Sequence, residues 1–357
     1  MVSRPTRLLP IDPANPDPGT IAEAAAVLRQ GGLVAFPTET VYGLGGIVTN
    51  RQALRGIFAA KGRPADNPLI LHVADAQDLE RLARELPPAA RVLAGAFWPG
   101  PLTLVVPRAP EIPDEVTAGL DTVAVRLPDH AVARALIRAA GAAVAAPSAN
   151  TSGRPSPTTA RDVWDDLQGR VDIILDAGPT GVGVESTVVD VTGPVPVVLR
   201  PGGVSVEELE RHVGRVALDP AVEGKPLAGP ARSPGMKYRH YAPKAPALLL
   251  EGTPEAVARR VVELAQEAAG RGERVGAVVM AEEGQLLEGR LPEGSVVRIL
   301  GSRQDPREAA RRLYQALRDM DRLGVHQVLL SAPEPRGLGL AVRDRMRRAA
   351  GQRVERL

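Results

Sequence analysis

The sequence predicts an α/β protein in two parts, a mixed-sheet domain followed by a smaller three-layer, Rossmann-like domain. Three observations carry this. Short β-branched runs bounded by Gly, Pro and polar residues recur along the chain. Up to residue 224 several of them follow one another with no helical pattern between, which a purely parallel sheet does not allow. Beyond residue 245 strands and helices alternate.

In chain order, Thr20 is expected to cap the first helix, with Glu23 completing a capping box and Gly31 ending it. GLVAF (32–36) reads as a buried strand stopped by Pro37. A helix over 51–60 puts Leu54, Ile57 and Phe58 on one face and ends at Lys61-Gly62. Strands are expected at 69–73, 102–106, 122–126, 171–176, 186–191 and 195–199, with a short apolar run at 142–146. Helices fall near 76–86, 131–140 and 159–168. In the second part, strands at 247–251, 275–280, 295–300 and 326–331 alternate with helices starting at Thr253-Pro254, at 306 and at 339. Pro254 sits in a first turn, where its missing N–H costs nothing. No G-x-G-x-x-G follows the first strand of this part, so it is not read as a dinucleotide site.

The chain has 357 residues, 44% hydrophobic and 24% charged, an ordinary globular composition. It has no Cys, which excludes disulfides, thiolate nucleophiles, Cys-ligated zinc and iron–sulfur clusters. Its five His form no H-E-x-x-H pair, and no protein-held metal is expected. No apolar stretch approaches the ~18 residues of a membrane helix. The first residues lack the apolar core of a signal peptide. A cytoplasmic location with no membrane partner is the expectation.

Charge is spread unevenly. Residues 1–224 carry 20 basic and 26 acidic side chains, residues 225–244 five and none, residues 245–357 19 and 16. The middle segment, KPLAGPARSPGMKYRHYAPK, holds Tyr238 and Tyr241, two of the chain's four Tyr. It reads either as a solvated linker or as an anion-contacting strap.

Polar residues gather at strand ends, where open α/β sheets bind ligands. FPTETVYGLGG (36–46) places Thr38, Glu39 and Thr40 directly after a strand, among glycines that allow close backbone approach. AAKGRPADNPLILH (59–72) sets Lys61 and Arg63 at a helix end, suited to a phosphate or simply to the helix C-terminus, with Asn67 and His72 around the next strand. TVAVRLP (122–128) ends a strand in Arg126, a cation that needs an anion, either a substrate carboxylate or a structural Asp or Glu. AAPSANTSGRPSPTT (145–159) offers Ser148, Asn150, Thr151, Ser152 and Ser156 as hydrogen-bonding groups, or forms a polar turn into the next helix. The stretch 176–202 adds Ser186, Thr187 and Arg200; without a G-x-S-x-G elbow, Ser186 is not read as a hydrolase nucleophile.

The ordered set PTETVYGLG, K-x-R-P-x-x-N-P-L, WPGPLT, A-x-R-x-P, PSAN-x-SG, ESTVVD and LRPG resembles the Sua5/YrdC/YciO family. The SPGMKYRHYAP bridge and the Rossmann-like tail resemble its two-domain Sua5 type, and the likeness covers nearly the whole chain. It implies a YrdC-like catalytic domain over 1–224, a twisted mixed sheet with a basic-lined concave cavity. It further implies a linker acting as a lid over 225–244 and a Rossmann-like Sua5 C-terminal domain over 245–357. The implied activity is that of a nucleotidyltransferase: L-threonine, bicarbonate (or CO2) and ATP, with Mg2+, give threonylcarbamoyl-adenylate and pyrophosphate. The implied partners are the tRNA threonylcarbamoyl-transfer machinery that modifies adenosine 37, and tRNA itself.

By the same resemblance, Thr40, His72, Arg126 and Ser186 bind threonine, and Lys61 and Arg63 are catalytic. Arg63, Asn67, Thr122, Ser148, Asn150, Ser156 and Arg200 bind the nucleotide, and Tyr241, or else Tyr238, closes over it. The residue types suit the chemistry. Adenylation moves negative charge onto the α-phosphate and the departing pyrophosphate, which Lys61, Arg63 and Arg200 could stabilise. Arg126 could grip a carboxylate in bidentate fashion. His72 is a candidate base or an orienting group. A carbamate unstable in water requires a closed site, which gives the bridge a purpose. The alternative is an RNA-binding translation or ribosome-assembly factor without this catalysis. It is opposed by an aromatic content of 3%, the lack of an RNP-like stacking motif and a net-acidic first domain. Carbamoyl-phosphate chemistry of the hydrogenase-maturation kind is opposed by the absence of Cys.

Overall fold

A computed structural model of the chain describes residues 5–225, 229, 231–233 and 240–357. Tyr238 and much of the 225–244 bridge lie outside the described residues. The chain divides into two compact units, Met1–Ser152 with Ser156–Lys237, and Gly153–Pro155 with Tyr238–Leu357.

The first unit runs β1 (Arg7–Pro10), α1 (Pro18–Arg29), β2 (Val34–Phe36), β3 (Gly43–Ile47), α2 (Arg51–Lys61), β4 (Ile70–His72), α3 (Asp78–Leu82), α4 (Pro88–Phe97) and β5 (Leu102–Pro107). It continues α5 (Asp114–Thr117), β6 (Thr122–Arg126), α6 (Ala131–Ala140), β7 (Val144–Ala145), α7 (Ala160–Leu167), β8 (Ile173–Asp176), β9 (Thr187–Asp190), β10 (Val197–Arg200), α8 (Val206–Val213) and β11 (Ala217–Leu218). Among the described residues these eleven strands form one sheet in the order β1-β8-β2-β3-β7-β4-β6-β5-β9-β10-β11. Parallel pairs (β4 with β6, β5 with β9) alternate with antiparallel ones (β5 with β6, β9 with β10), so the sheet is mixed as the helix-free strand successions imply.

Strand periodicity sorts the core. Val34 and Phe36 enter one cluster and Ala35 the other, because successive side chains leave opposite faces. On the Val34 side, α1 and α6 pack through Ile21, Ala24 and Leu28 and through Val132, Leu136 and Ile137. Truncating one such Leu costs about 2–5 kcal/mol.

Two local readings need correction. The first helix is capped by Asp17, whose carboxylate accepts from the Thr20 N–H; Pro18 takes the first helical position, and Glu23 pairs with Arg7 instead of closing a box. GLGGI is a strand, β3, and not only a glycine turn. A Cβ on Gly45 would come within 2.8 Å of the Phe36 ring and 2.9 Å of Val144, so the neighbours demand glycine where strand propensity argues against it.

The second unit holds β12 (Ala247–Glu251), α9 (Pro254–Gly270), β13 (Val275–Val279), α10 (Ala281–Leu287), β14 (Val296–Ile299), α11 (Pro306–Leu323), β15 (Gln327–Ser331), α12 (Leu338–Ala349) and β16 (Val354–Arg356). Its sheet is parallel throughout, in the order β14-β13-β15-β12-β16. Thr253 caps α9 through its side chain, with Pro254 following.

Candidate functional site

The sheet brings distant segments to one place in the first unit. In the parallel β4–β6 pair His72 stands opposite Arg126 at the C-terminal ends of both strands. Both are buried, His72 to 3% and Arg126 to 4% exposure. Two strands away, Ser186 precedes β9 and shares a hydrogen bond with Thr103 of β5 at 2.7 Å. Arg200, the last residue of β10, donates to the Ser186 carbonyl at 3.0 Å and to its hydroxyl at 3.2 Å. The chain can cross here because residue 202 is glycine. A Cβ on it would lie 2.3 Å from the Glu185 carbonyl oxygen, the Ser186 carbonyl carbon and the Thr187 nitrogen.

Thr40 joins this cluster from the loop after β2. Its hydroxyl meets that of Thr38 at 2.8 Å, and its carbonyl accepts from the Gly183 N–H at 3.1 Å. The neighbouring Glu39 reaches Arg126, Oε2 to NH2 at 2.7 Å. Arg126 thus has a structural carboxylate partner, one of the two anions its sequence context allowed.

Burial holds the His72 imidazole neutral, with Arg126 and then Arg200 adding to the effect, and its pKa falls to about 3. Nδ1 lies 3.2 Å from the Ile70 carbonyl, which can only accept, so Nδ1 carries the proton and Nε2 offers a lone pair. So weak a base does not take a proton from an ammonium near neutral pH. Of the two roles open to His72, the geometry favours orientation.

A second group forms around the end of α2. Asn50 caps that helix at its start, and Gly62, at φ 60°, ends it in the left-handed conformation. Lys61 is turned inward and donates to the Ser148 and Asn150 carbonyls at 2.5 and 2.6 Å. Burial, then Arg63, holds its pKa well below the ordinary lysine range. Arg63 donates to the Asn67 and Pro68 carbonyls at 3.2 and 2.9 Å. Lys61 and Arg63 therefore brace the two loops that carry Ser148, Asn150 and Asn67. The Asn67 Oδ1 is buried with no hydrogen-bond partner. The Ser148 loop pairs back onto β3 through Gly43.

Ser156 is fully buried and donates to Glu185, immediately before Ser186, at 2.5 Å. Thr122, at the start of β6, pairs with Pro107, at the opposite end of that strand from Arg126. Tyr241 belongs to the second unit. It takes φ 62°, stacks on Tyr314 at 5.5 Å, and lies under the Arg345 guanidinium at 5.2 Å. Two residues of consequence carried no role in the sequence reading, Glu39 and Glu185. Their positions inside PTET and EST were visible; their partners, 87 and 29 residues away in sequence, were not.

Buried arginines stand beside hydroxyls and amides at the strand ends of a mixed sheet, a set of groups suited to a small anionic, hydroxylated ligand. Comparison with known proteins narrows the class. Residues 26–202 match the Sua5/YciO/YrdC model, described as "Telomere recombination", and residues 204–351 match the Sua5 C-terminal domain model, "Threonylcarbamoyl-AMP synthase, C-terminal domain". A threonylcarbamoyl-AMP synthase of Pyrococcus abyssi is 48% identical over 93% of this chain and 94% of its own length. One of Bacillus subtilis is 46% identical over 94% of each. The crystal structure of P. abyssi Sua5 complexed with L-threonine superposes with a TM-score of 0.92 at 46% identity, covering 98% of this chain and 99% of that one. The chain belongs to the Sua5 family of threonylcarbamoyl-AMP synthases, enzymes of nucleotidyl transfer.

Proposed function

We propose that the first unit joins L-threonine, bicarbonate and ATP into threonylcarbamoyl-AMP, releasing pyrophosphate, and that the product serves tRNA modification in the cytoplasm. The relatives' name and the threonine complex of the P. abyssi protein support threonine and ATP as substrates. One observation supports this reading: His72 stands opposite Arg126 in the β4–β6 register, and Arg200, from a strand further along the same sheet, holds the Ser186 hydroxyl at 3.2 Å. In this reading Arg126 receives the threonine carboxylate, Thr40 and Ser186 its hydroxyl, and His72 orients it through Nε2. The amine, its ammonium proton lost to solvent, forms the C–N bond of the carbamate, either with bicarbonate, which releases water, or with CO2, which releases a second proton to solvent. The resulting carbamate oxygen attacks the α-phosphorus of ATP, and pyrophosphate leaves. In the same reading Arg200, Arg63 and Lys61 stabilise the developing phosphate charge. Asn67, Thr122, Ser148, Asn150 and Ser156 surround the nucleotide. The catalytic domain spans 1–224, the bridge 225–244 closes over the loaded site through Tyr241 or Tyr238, and 245–357 forms the accessory domain.

Among the described residues no three His, Asp or Glu side chains converge as metal ligands. The Mg2+ expected with ATP would be held chiefly by the nucleotide's phosphates and water, and no step here runs through it. No described helix is long and apolar enough to cross a membrane. Mass spectrometry of the full chain with ATP, Mg2+, bicarbonate and L-threonine, each omitted in turn, tests the reading. Threonylcarbamoyl-AMP should form only in the complete mixture. ATP cleavage indifferent to threonine would refute it.

A further inference from the structure

The threonine subsite contains a charge that the proposed roles leave unused. Glu39 sits between Thr38 and Thr40, whose hydroxyls are engaged in the loop's own hydrogen bonds. The Val182 N–H donates to the Glu39 carbonyl at 2.8 Å, so the backbone that presents this side chain is fixed. Its carboxylate lies 2.7 Å from Arg126 NH2, with only 14% of the side chain exposed. Neither Glu39 oxygen accepts an aligned hydrogen bond, and Arg126 NH2 donates none. His130, at the start of α6, is a titratable neighbour of Glu39, and burial favours its neutral form. A buried ion pair that leaves its hydrogen-bonding capacity unused is costly to keep for structure alone.

An adjacent guanidinium and carboxylate, each with open valences, is the complement of an amino-acid zwitterion. The carboxylate and ammonium of an α-amino acid are separated by a single carbon, the scale on which Arg126 and Glu39 face each other. We propose that Glu39 is a specificity residue of the amino-acid subsite. It receives the α-ammonium of the amino acid while Arg126 receives the carboxylate, so the site selects α-amino acids over other hydroxylated carboxylates. This rests on the reading that Arg126 holds the threonine carboxylate. The ion pair could instead serve only to cover Arg126. The two accounts differ in sign. Removing a mere cover frees Arg126 and tightens carboxylate binding, whereas removing an ammonium ligand weakens it.

The test is calorimetric titration of the full chain with L-threonine and with 2,3-dihydroxybutanoate, which has a hydroxyl in place of the ammonium. Wild type, Glu39→Gln and Glu39→Asp are compared, with ATP binding and thermal unfolding recorded for each. The wild type should prefer threonine. Glu39→Gln should weaken threonine binding about 10- to 100-fold, the scale of one charge-assisted hydrogen bond, and erase the preference. Binding of dihydroxybutanoate and of ATP should stay within a few-fold. Glu39→Asp, which keeps the charge, should recover part of the preference. Unchanged or tighter threonine binding by Glu39→Gln, or loss of threonine and ATP binding in parallel, overturns the role of Glu39. Failure of the wild type to bind threonine overturns the reading of the subsite itself, and this proposal with it.

Discussion

Replacing Gly202 by Ala adds one methyl group at the point where the chain leaving β10 crosses the segment entering β9. That methyl would lie 2.3 Å from three backbone atoms of Glu185, Ser186 and Thr187, about 1 Å inside ordinary contact. Backbone cannot rotate away as a side-chain tip can, so one strand of the crossing must move. Overpacking of this kind costs about 1–3 kcal/mol or more. The functional loss should be larger than the loss of stability. Ser186 is gripped by Arg200 at 3.0 and 3.2 Å and by Thr103 at 2.7 Å, and a 1 Å shift breaks that geometry. Displacement of reacting groups on this scale can lower turnover about 100-fold. The assay pairs thermal unfolding with threonine-dependent pyrophosphate release. Gly202→Ala should unfold several degrees lower yet stay folded at 25 °C, with release reduced by roughly two orders of magnitude. Wild-type activity at wild-type stability would show that the crossing does not position Ser186.

Lys61→Met keeps the aliphatic stem but strands the Ser148 and Asn150 carbonyls that the Lys61 side chain now satisfies. It should cost about 2–4 kcal/mol in denaturant unfolding and raise the KM for ATP; a neutral result would mean that the loop does not depend on this brace. Arg126→Ala should raise the threonine KM at least about tenfold with little change in ATP binding, and equal loss of both would refute the division of the site. His72 is neutral in the folded chain, with its pKa lowered from 6.5 to about 3, so the unfolded chain binds the extra proton as pH falls below 6.5. Stability is therefore greatest above pH 6.5 and falls with pH by up to about 1.4 kcal/mol per unit toward the folded pKa. His130 contributes in the same direction. Denaturation midpoints at pH 7 and 5.5 should converge in His72→Asn relative to wild type, and an unchanged slope would place His72 in water.

The parts legible in the sequence were those fixed by nearest neighbours and period. LTLVV, TVAVR and VDIILD announce strands because β-branched runs suit a pleated, buried surface, and β5, β6 and β8 lie there. Strict alternation after residue 245 predicts a parallel sheet, and the second unit has one. The misreadings arise where a distant neighbour decides. Asp17 and Thr20 are both competent caps, and the placement of Pro18 settles which one serves. The glycines of β3 lack strand propensity, yet Phe36 and Val144 leave room for nothing larger at Gly45. Helix α8 carries a local signal of its own, the full capping box of Ser205 and Glu208.

The site divides along the same line. Motif order marks which strand ends carry polar residues, but a motif does not state which charges neutralise each other. Sequence alone says that the cation ending TVAVR requires an anion and leaves its identity open. The fold supplies Glu39, 87 positions earlier, while the proposed function adds a substrate carboxylate. These answers compete only if the pair must break for the ligand to bind. A zwitterion removes the conflict, because its two charges can meet both members of the pair at once. The charge of the subsite is then balanced before and after loading, and no buried ion is left exposed at either stage. A site built this way recognises the distance between two opposite charges, which a free carboxylate or a phosphate does not reproduce.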